Sequence, residues 1–211
     1  MTVSRRAFAL GSAALLSLAA LPAAAQTGLS AEDRATLAQA QTYLQNLTSA
    51  RGDFVETAPG GQRRAGRFWL QRPGKMRFEY TDPAGLLVVS DGSNVKRYDP
   101  RLDVFRQVPL GATPLSTFLA RNVRLDQGVR IDRVTRMASG AFAITARDSD
   151  KPNEGSVILA FAGNPVRLQE WTITDAQGGR TRTQLTSLVN EPNLAASLFR
   201  LRDPTRRAGR R

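Results

Sequence analysis

Turn dipeptides punctuate this chain so closely that few folds remain open to it. Pro59-Gly60-Gly61, Pro73-Gly74, Asp82-Pro83, Asp91-Gly92 and Asp99-Pro100 divide the segment after Ala50 into short pieces rich in β-formers. Each dipeptide has its own backbone reason to turn. The pieces read as strands near 50–57, 63–72, 75–82, 85–91, 94–99 and 103–108. Further strands are expected near 129–137, 140–147, 155–163, 166–175 and 179–190, with Gly163-Asn164-Pro165 and Ala176-Gln177-Gly178-Gly179 as turns. Strands this closely spaced leave no room for crossover helices, so they predict an antiparallel meander.

Three helical segments interrupt or flank the strands. Ser30 is a good N-cap, and Asp33 completes a start like a capping box. Leu37, Ala40, Tyr43 or Leu44, and Leu47 then recur at helical spacing, which predicts one apolar face on a helix ending near 46–49. Thr113-Pro114 resembles an N-cap with Pro at the first helical position. Leu115, Phe118 and Leu119 follow on one face of a short helix. Ala195–Phe199 suggests a last helical turn.

About eleven strands with two covering helices predict a mainly β (α+β) protein. The expected sheet is an unclosed, strongly curved antiparallel barrel with helices lidding its concave face. Met76, Phe78 and Tyr80 alternate with Arg77, Glu79 and Thr81, so one face of that strand is aromatic. Around Ile158 both faces are apolar.

The N-terminus implies export. Arg5 and Arg6 precede an apolar run from Ala7 to Leu21, then Pro22 and the small residues Ala23-Ala24-Ala25. This is the order of a secretory signal, expected to be cleaved near Ala25 (domain 1–25). Ser-Arg-Arg-x-Phe-x-Leu also resembles a twin-arginine signal, with a general secretory signal as the alternative. The remaining single domain, 26–205, is long enough for a real core, and 206–211 is expected to be a basic disordered tail. Few residues follow Phe199, so no strand-length C-terminal extension is expected.

Composition narrows function further. Cys and His are both absent, which removes Cys- or His-ligated metal sites and Cys or His catalysts. No GxSxG, P-loop, GxGxxG or paired-carboxylate signature is present, and Asp91-Gly92 reads as a turn. The expected protein is not an enzyme and needs no cofactor or metal. The net charge is +12, and losing Arg5 and Arg6 on cleavage takes it to +10. Such a field suits an acidic partner or an anionic membrane surface. Export argues against nucleic acid.

The ordered landmarks carry a family likeness. Gly66-Arg67-Phe68-Trp69-Leu70-Gln71-Arg72-Pro73-Gly74-Lys75-Met76-Arg77-Phe78-Glu79-Tyr80, Val89-Ser90-Asp91-Gly92 and Tyr98-Asp99-Pro100 resemble the periplasmic outer-membrane lipoprotein carrier family, the LolA-like proteins. Gly52-Asp53-Phe54, Ala120-Arg121-Asn122, Trp171-Thr172-Ile173-Thr174-Asp175 and Leu198-Phe199 extend the likeness over nearly all of the chain after the signal. The resemblance implies a half-barrel whose cavity takes lipoprotein acyl chains in the periplasm. Its implied partners are acylated lipoproteins, an inner-membrane ABC-type release complex and an outer-membrane receptor, with transient membrane-surface contact and a monomeric carrier. It implies that Arg72 latches the lid by bonding backbone carbonyls. The candidate cavity residues are Phe54, Trp69, Met76, Phe78, Tyr80 and Val88, with the face of Trp69 left open because Phe68 and Leu70 point the other way, and the candidate lid residues are Leu115, Phe118 and Leu119. Other readings are a LolA-like sensor module, a carrier of another lipid, and a secreted hydrolase.

Overall fold

The computed structural model describes residues 28–206, apart from Pro114 and Asp126. The expected signal, its cleavage near Ala25, the tail beyond Arg206 and the Pro114 position in the lid lie outside the described residues. The first helix, α1, spans Ala31–Asn46, and its capping box is formed. Ser30 Oγ accepts from the Asp33 amide at 3.0 Å, and Asp33 Oδ2 accepts from the Ser30 amide at 3.2 Å. The buried face is Thr36, Leu37, Ala40 and Leu44, with Tyr43 half-buried.

Eleven strands follow: β1 (Ser49–Thr57), β2 (Arg63–Gln71), β3 (Lys75–Asp82), β4 (Leu87–Asp91), β5 (Asn94–Asp99), β6 (Val104–Pro109), β7 (Val129–Arg136), β8 (Phe142–Asp148), β9 (Gly155–Ala162), β10 (Arg167–Asp175) and β11 (Arg180–Asn190). Between β6 and β7 lie a 3-10 turn, Leu110–Ala112, and the short helix α2, Leu115–Phe118. A second 3-10 turn, Ala196–Phe199, ends the regular structure.

All eleven strands form one antiparallel sheet in the order β6-β5-β4-β3-β2-β1-β11-β10-β9-β8-β7. It consists of two local meanders welded at a long-range pair, β1 with β11. Strands β6 and β7 are the two edges, and they do not pair, so the barrel stays open.

Two reciprocal glycine–aromatic pairs sit at the centre of the sheet. Gly52 faces Phe68 and Phe54 faces Gly66 across β1 and β2. A Cβ on Gly66 would lie 2.9 Å from the Phe54 ring and 2.3 Å from the Glu79 carbonyl oxygen. Each aromatic ring thus occupies the space that a side chain on the opposing strand would fill, the arrangement in which an aromatic covers a strand glycine.

The core is bipartite. One cluster packs α1 against β8 and β9 through Leu37, Leu44, Ile144, Leu159 and Phe161, and closes over Val123 and Leu125. The other gathers Phe54, Phe68, Met76, Phe78, Tyr80 and Leu119 around β1–β3. Trp171 of β10 packs against both.

Candidate functional site: a lidded apolar cavity

Between the two clusters lies a cavity of about 90 Å³. Strands β2 and β3 contribute Phe68, Leu70, Met76 and Phe78. From β9 to β11 come Leu159, Leu168, Trp171, Ile173 and Leu185. The covers are α1, through Leu44 and Leu47, and the lid, through Leu115, Phe118 and Leu119. Among the described residues, Arg72 is the one charged residue on the lining. At ~24 cal/mol per Å³ of unfilled apolar space, leaving this volume empty costs roughly 2 kcal/mol.

Aromatic geometry shapes the β2–β3 wall. Phe78 stacks on Phe68 with centroids 5.8 Å apart and meets Trp171 edge-on at 6.1 Å. Phe54 stands behind Phe78 at 4.9 Å and edge-on to Tyr80 at 5.1 Å. The expected wall residues therefore divide. Met76 and Phe78 reach the lining, whereas Phe54, Tyr80 and Val88 belong to the cluster supporting it. The Tyr80 hydroxyl donates to Glu56 Oε2 at 2.7 Å, and burial together with that carboxylate pushes its phenol pKa up.

The placement expected for Trp69 is corrected. Phe68 and Leu70 line the cavity, so the alternation of the strand directs Trp69 to the opposite, convex face. There it pairs across the strands with Arg51 and Arg77, and the Arg67 guanidinium lies 5.7 Å from its ring. The tryptophan on the cavity is Trp171. Its signal was the Trp171-x-Ile173 alternation of β10.

Arg72 follows the last residue of β2 and reaches both covers at once. Its Nε donates to the Phe118 carbonyl at 2.9 Å, and its Nη1 donates to the carbonyls of Leu44 and, at 2.8 Å, Leu47. The last turn of α1 contains no basic residue, so this guanidinium also supplies the cation that the negative end of the helix favours. A planar fork of fixed donors suits three carbonyls from two segments. Burial lowers the Arg72 pKa to about 10, which still leaves it charged at neutral pH. Beside it, the Gly74 amide donates to the Leu119 carbonyl at 2.7 Å.

A second seam joins α1 to the segment after the lid. Gln45 Nε2 donates to the Val123 carbonyl at 3.2 Å, and Gln41 Oε1 accepts from the Leu125 amide at 3.0 Å. Two glutamines four residues apart share a helix face, and here they satisfy one carbonyl and one amide of that segment. Helix α2 itself has no fully buried residue.

Among the described residues no group of acidic side chains could hold a metal ion, and none of the helices is long and apolar enough to cross a membrane.

The fold and cavity define a class: an incompletely closed antiparallel barrel whose open side is lidded over apolar space. Residues 45–202 match the family "Outer membrane lipoprotein carrier protein LolA", and the chain belongs to that family. An outer-membrane lipoprotein carrier protein of Chromohalobacter salexigens is 32% identical over 193 residues, 87% of each chain. One from Methylobacillus flagellatus is 29% identical over 170 residues, covering 79% of this chain and 78% of the relative. Among solved structures, a LolA superfamily protein from Nitrosomonas europaea aligns over 80% of this chain and 97% of its own at 11% identity, with a TM-score of 0.44.

Proposed function

We propose that this chain is a periplasmic carrier that takes the acyl chains of lipoproteins into its cavity and ferries them from the inner to the outer membrane. The observation that carries the reading is the apolar cavity whose two covers hang from one residue, Arg72. The names of its relatives support the same role.

The physical problem is one of solubility. Each buried methylene is worth about 0.8 kcal/mol, so two or three long chains resist water by tens of kcal/mol. The closed cavity holds about 90 Å³, less than the engineered cavity of about 150 Å³ that admits a benzene. Cargo must therefore lift a cover, and lifting it breaks the Arg72 bonds. Loading spends part of the burial energy on opening. Release regains those bonds, so affinity stays high enough to carry and low enough to deliver. Phe118 and Leu119 then serve as the underside of the lid, and Met76, Phe78 and Trp171 as wall. No catalytic step is required.

In this reading the donor is an inner-membrane ABC-type release complex and the acceptor an outer-membrane receptor. The test is release of lipoprotein from inner-membrane spheroplasts by the purified protein, with mass spectrometry of the material it then holds. A soluble complex containing a triacylated protein is expected. Protein that releases nothing and holds no acyl chains contradicts the proposal.

A further inference from the structure

The concave face does not stay apolar to its edge. Pairing sets Phe68 opposite Phe78, Phe78 opposite Val88, Val88 opposite Arg97, and Arg97 opposite Arg106. Directly paired residues of an antiparallel sheet share a face, and no register shift interrupts β3 to β6. Arg97 and Arg106 therefore stand on the concave side, in the row that begins at the cavity wall. Val95, two residues before Arg97 and so on its face, packs against the aromatic cluster and places this side independently. With neighbouring strands ~4.8 Å apart, Arg97 lies about 10 Å from Phe78, and Arg106 about one strand further, at the open edge.

Two arginines directly opposite each other repel. One carboxylate moderates this: Asp99, 1% exposed, lies 3.4 Å from Arg97 Nη2 and 3.5 Å from Arg101 Nε. Glu56, a carboxylate of the same face, is already engaged by Tyr80 and Arg64. Arg106 is exposed, and among the described residues nothing pairs with it. The edge thus carries more guanidinium than it neutralises, at the distance from the cavity that the polar end of an amphiphile would reach.

We propose that Arg97 and Arg106 form an anion shelf that holds the oxyanion headgroup of a free acyl lipid whose chain occupies the cavity. Guanidinium forks match the paired oxygens of phosphate and carboxylate. The inference rests on the acyl-carrier reading and adds a ligand class to it: anionic lipids, bound without an attached protein.

The test uses displacement of a fluorescent acyl probe by two lipids of one chain length, a monoacylglycerol phosphate and the uncharged monoacylglycerol. The phosphate lipid is expected to bind about tenfold more tightly at low salt. Arg106→Gln, which leaves the Asp99 pairs in place, should reduce that preference, and Arg97→Gln with Arg106→Gln should abolish it. Affinity for the uncharged lipid should stay unchanged throughout, and inorganic phosphate equimolar with the lipid, at constant ionic strength, should leave the preference standing. Equal affinities in the wild type, or a preference that survives the double substitution, would overturn the shelf. Displacement of the phosphate lipid by inorganic phosphate would assign the arginines to a free anion and overturn the headgroup. If neither lipid displaces the probe, the carrier reading fails and the shelf fails with it.

Discussion

Arg72 Nε lies 2.9 Å from the carbonyl oxygen of Phe118, and the same guanidinium holds the carbonyls of Leu44 and Leu47. One side chain thus ties the lid to the end of α1. In the proposed carrier cycle these bonds exist only while the covers are closed over the cavity. Arg72→Leu removes them and leaves the fold of the sheet untouched. Loss of charge-assisted bonds to partly buried carbonyls destabilises the closed form by about 1–3 kcal/mol. Linkage then shifts the population toward the open, loadable state. The variant should bind a fluorescent acyl probe about tenfold more tightly and hand lipoprotein onward more slowly. Wild-type affinity and wild-type transfer together would remove the latch.

The Phe54–Gly66 pair makes a claim about stability. A Cβ at Gly66 would sit 2.3 Å from the Glu79 carbonyl oxygen, which is backbone and cannot swing aside. Gly66→Ala should therefore separate β2 from β3 or displace the Phe54 ring. Overpacking of this kind costs about 1–3 kcal/mol. Urea unfolding should show a lower midpoint with an unchanged slope. An unchanged midpoint would mean that the ring does not need the empty site.

The chain contains no histidine, so no side chain has an ordinary pKa between about 5.5 and 8. The folded pKa of Arg72 lies below its unfolded value, at about 10. Burying this cation therefore costs stability at all pH values below that, and the carbonyl bonds offset the cost. The carboxylates have the opposite sign. The Arg136 side chain holds Asp33 below 3.8, and the Arg147 and Arg130 guanidiniums outweigh burial to hold Asp132 below it too. Their contribution is present above pH 3.8 and is lost as pH falls through the folded values. Thermal melts should give a flat profile from about pH 6 to 9 and a decline below about pH 4. A stability or binding transition centred near neutrality would contradict this assignment.

Much of the fold was legible because its turns are chemically explicit. Pro73-Gly74 and Asn164-Pro165 fall between strands at the expected places, Asp91-Gly92 ends β4, and Ser30 with Asp33 forms its capping box. What periodicity could not reveal was the weld of β1 to β11, a pairing of residues more than 120 positions apart, which no local pattern encodes. The same limit governed the site. Met76 and Phe78 announced themselves by alternation on one strand. Leu159, Trp171 and Leu185 reach the same cavity from the other meander, and only the long-range pairing shows that they face Phe78. The face of Trp69 stayed open because hydrophobicity alone does not set parity. The small Gly66 shares the inward row with Phe68 and Leu70, and its role is visible only once Phe54 is seen to lie across it.

The central claim is that acyl chains enter between β2–β3 and β9–β11, and the two tryptophans test it directly. Trp171 lines the cavity, and Trp69 faces away from it. A fatty acid brominated along its chain quenches indole fluorescence only at close range. In Trp69→Phe protein, where Trp171 alone reports, fluorescence should fall saturably as the brominated chain is added. In Trp171→Phe protein, where Trp69 alone reports, it should stay near its starting value. Quenching of Trp69 with Trp171 unaffected would place the acyl chain on the convex face and contradict the account.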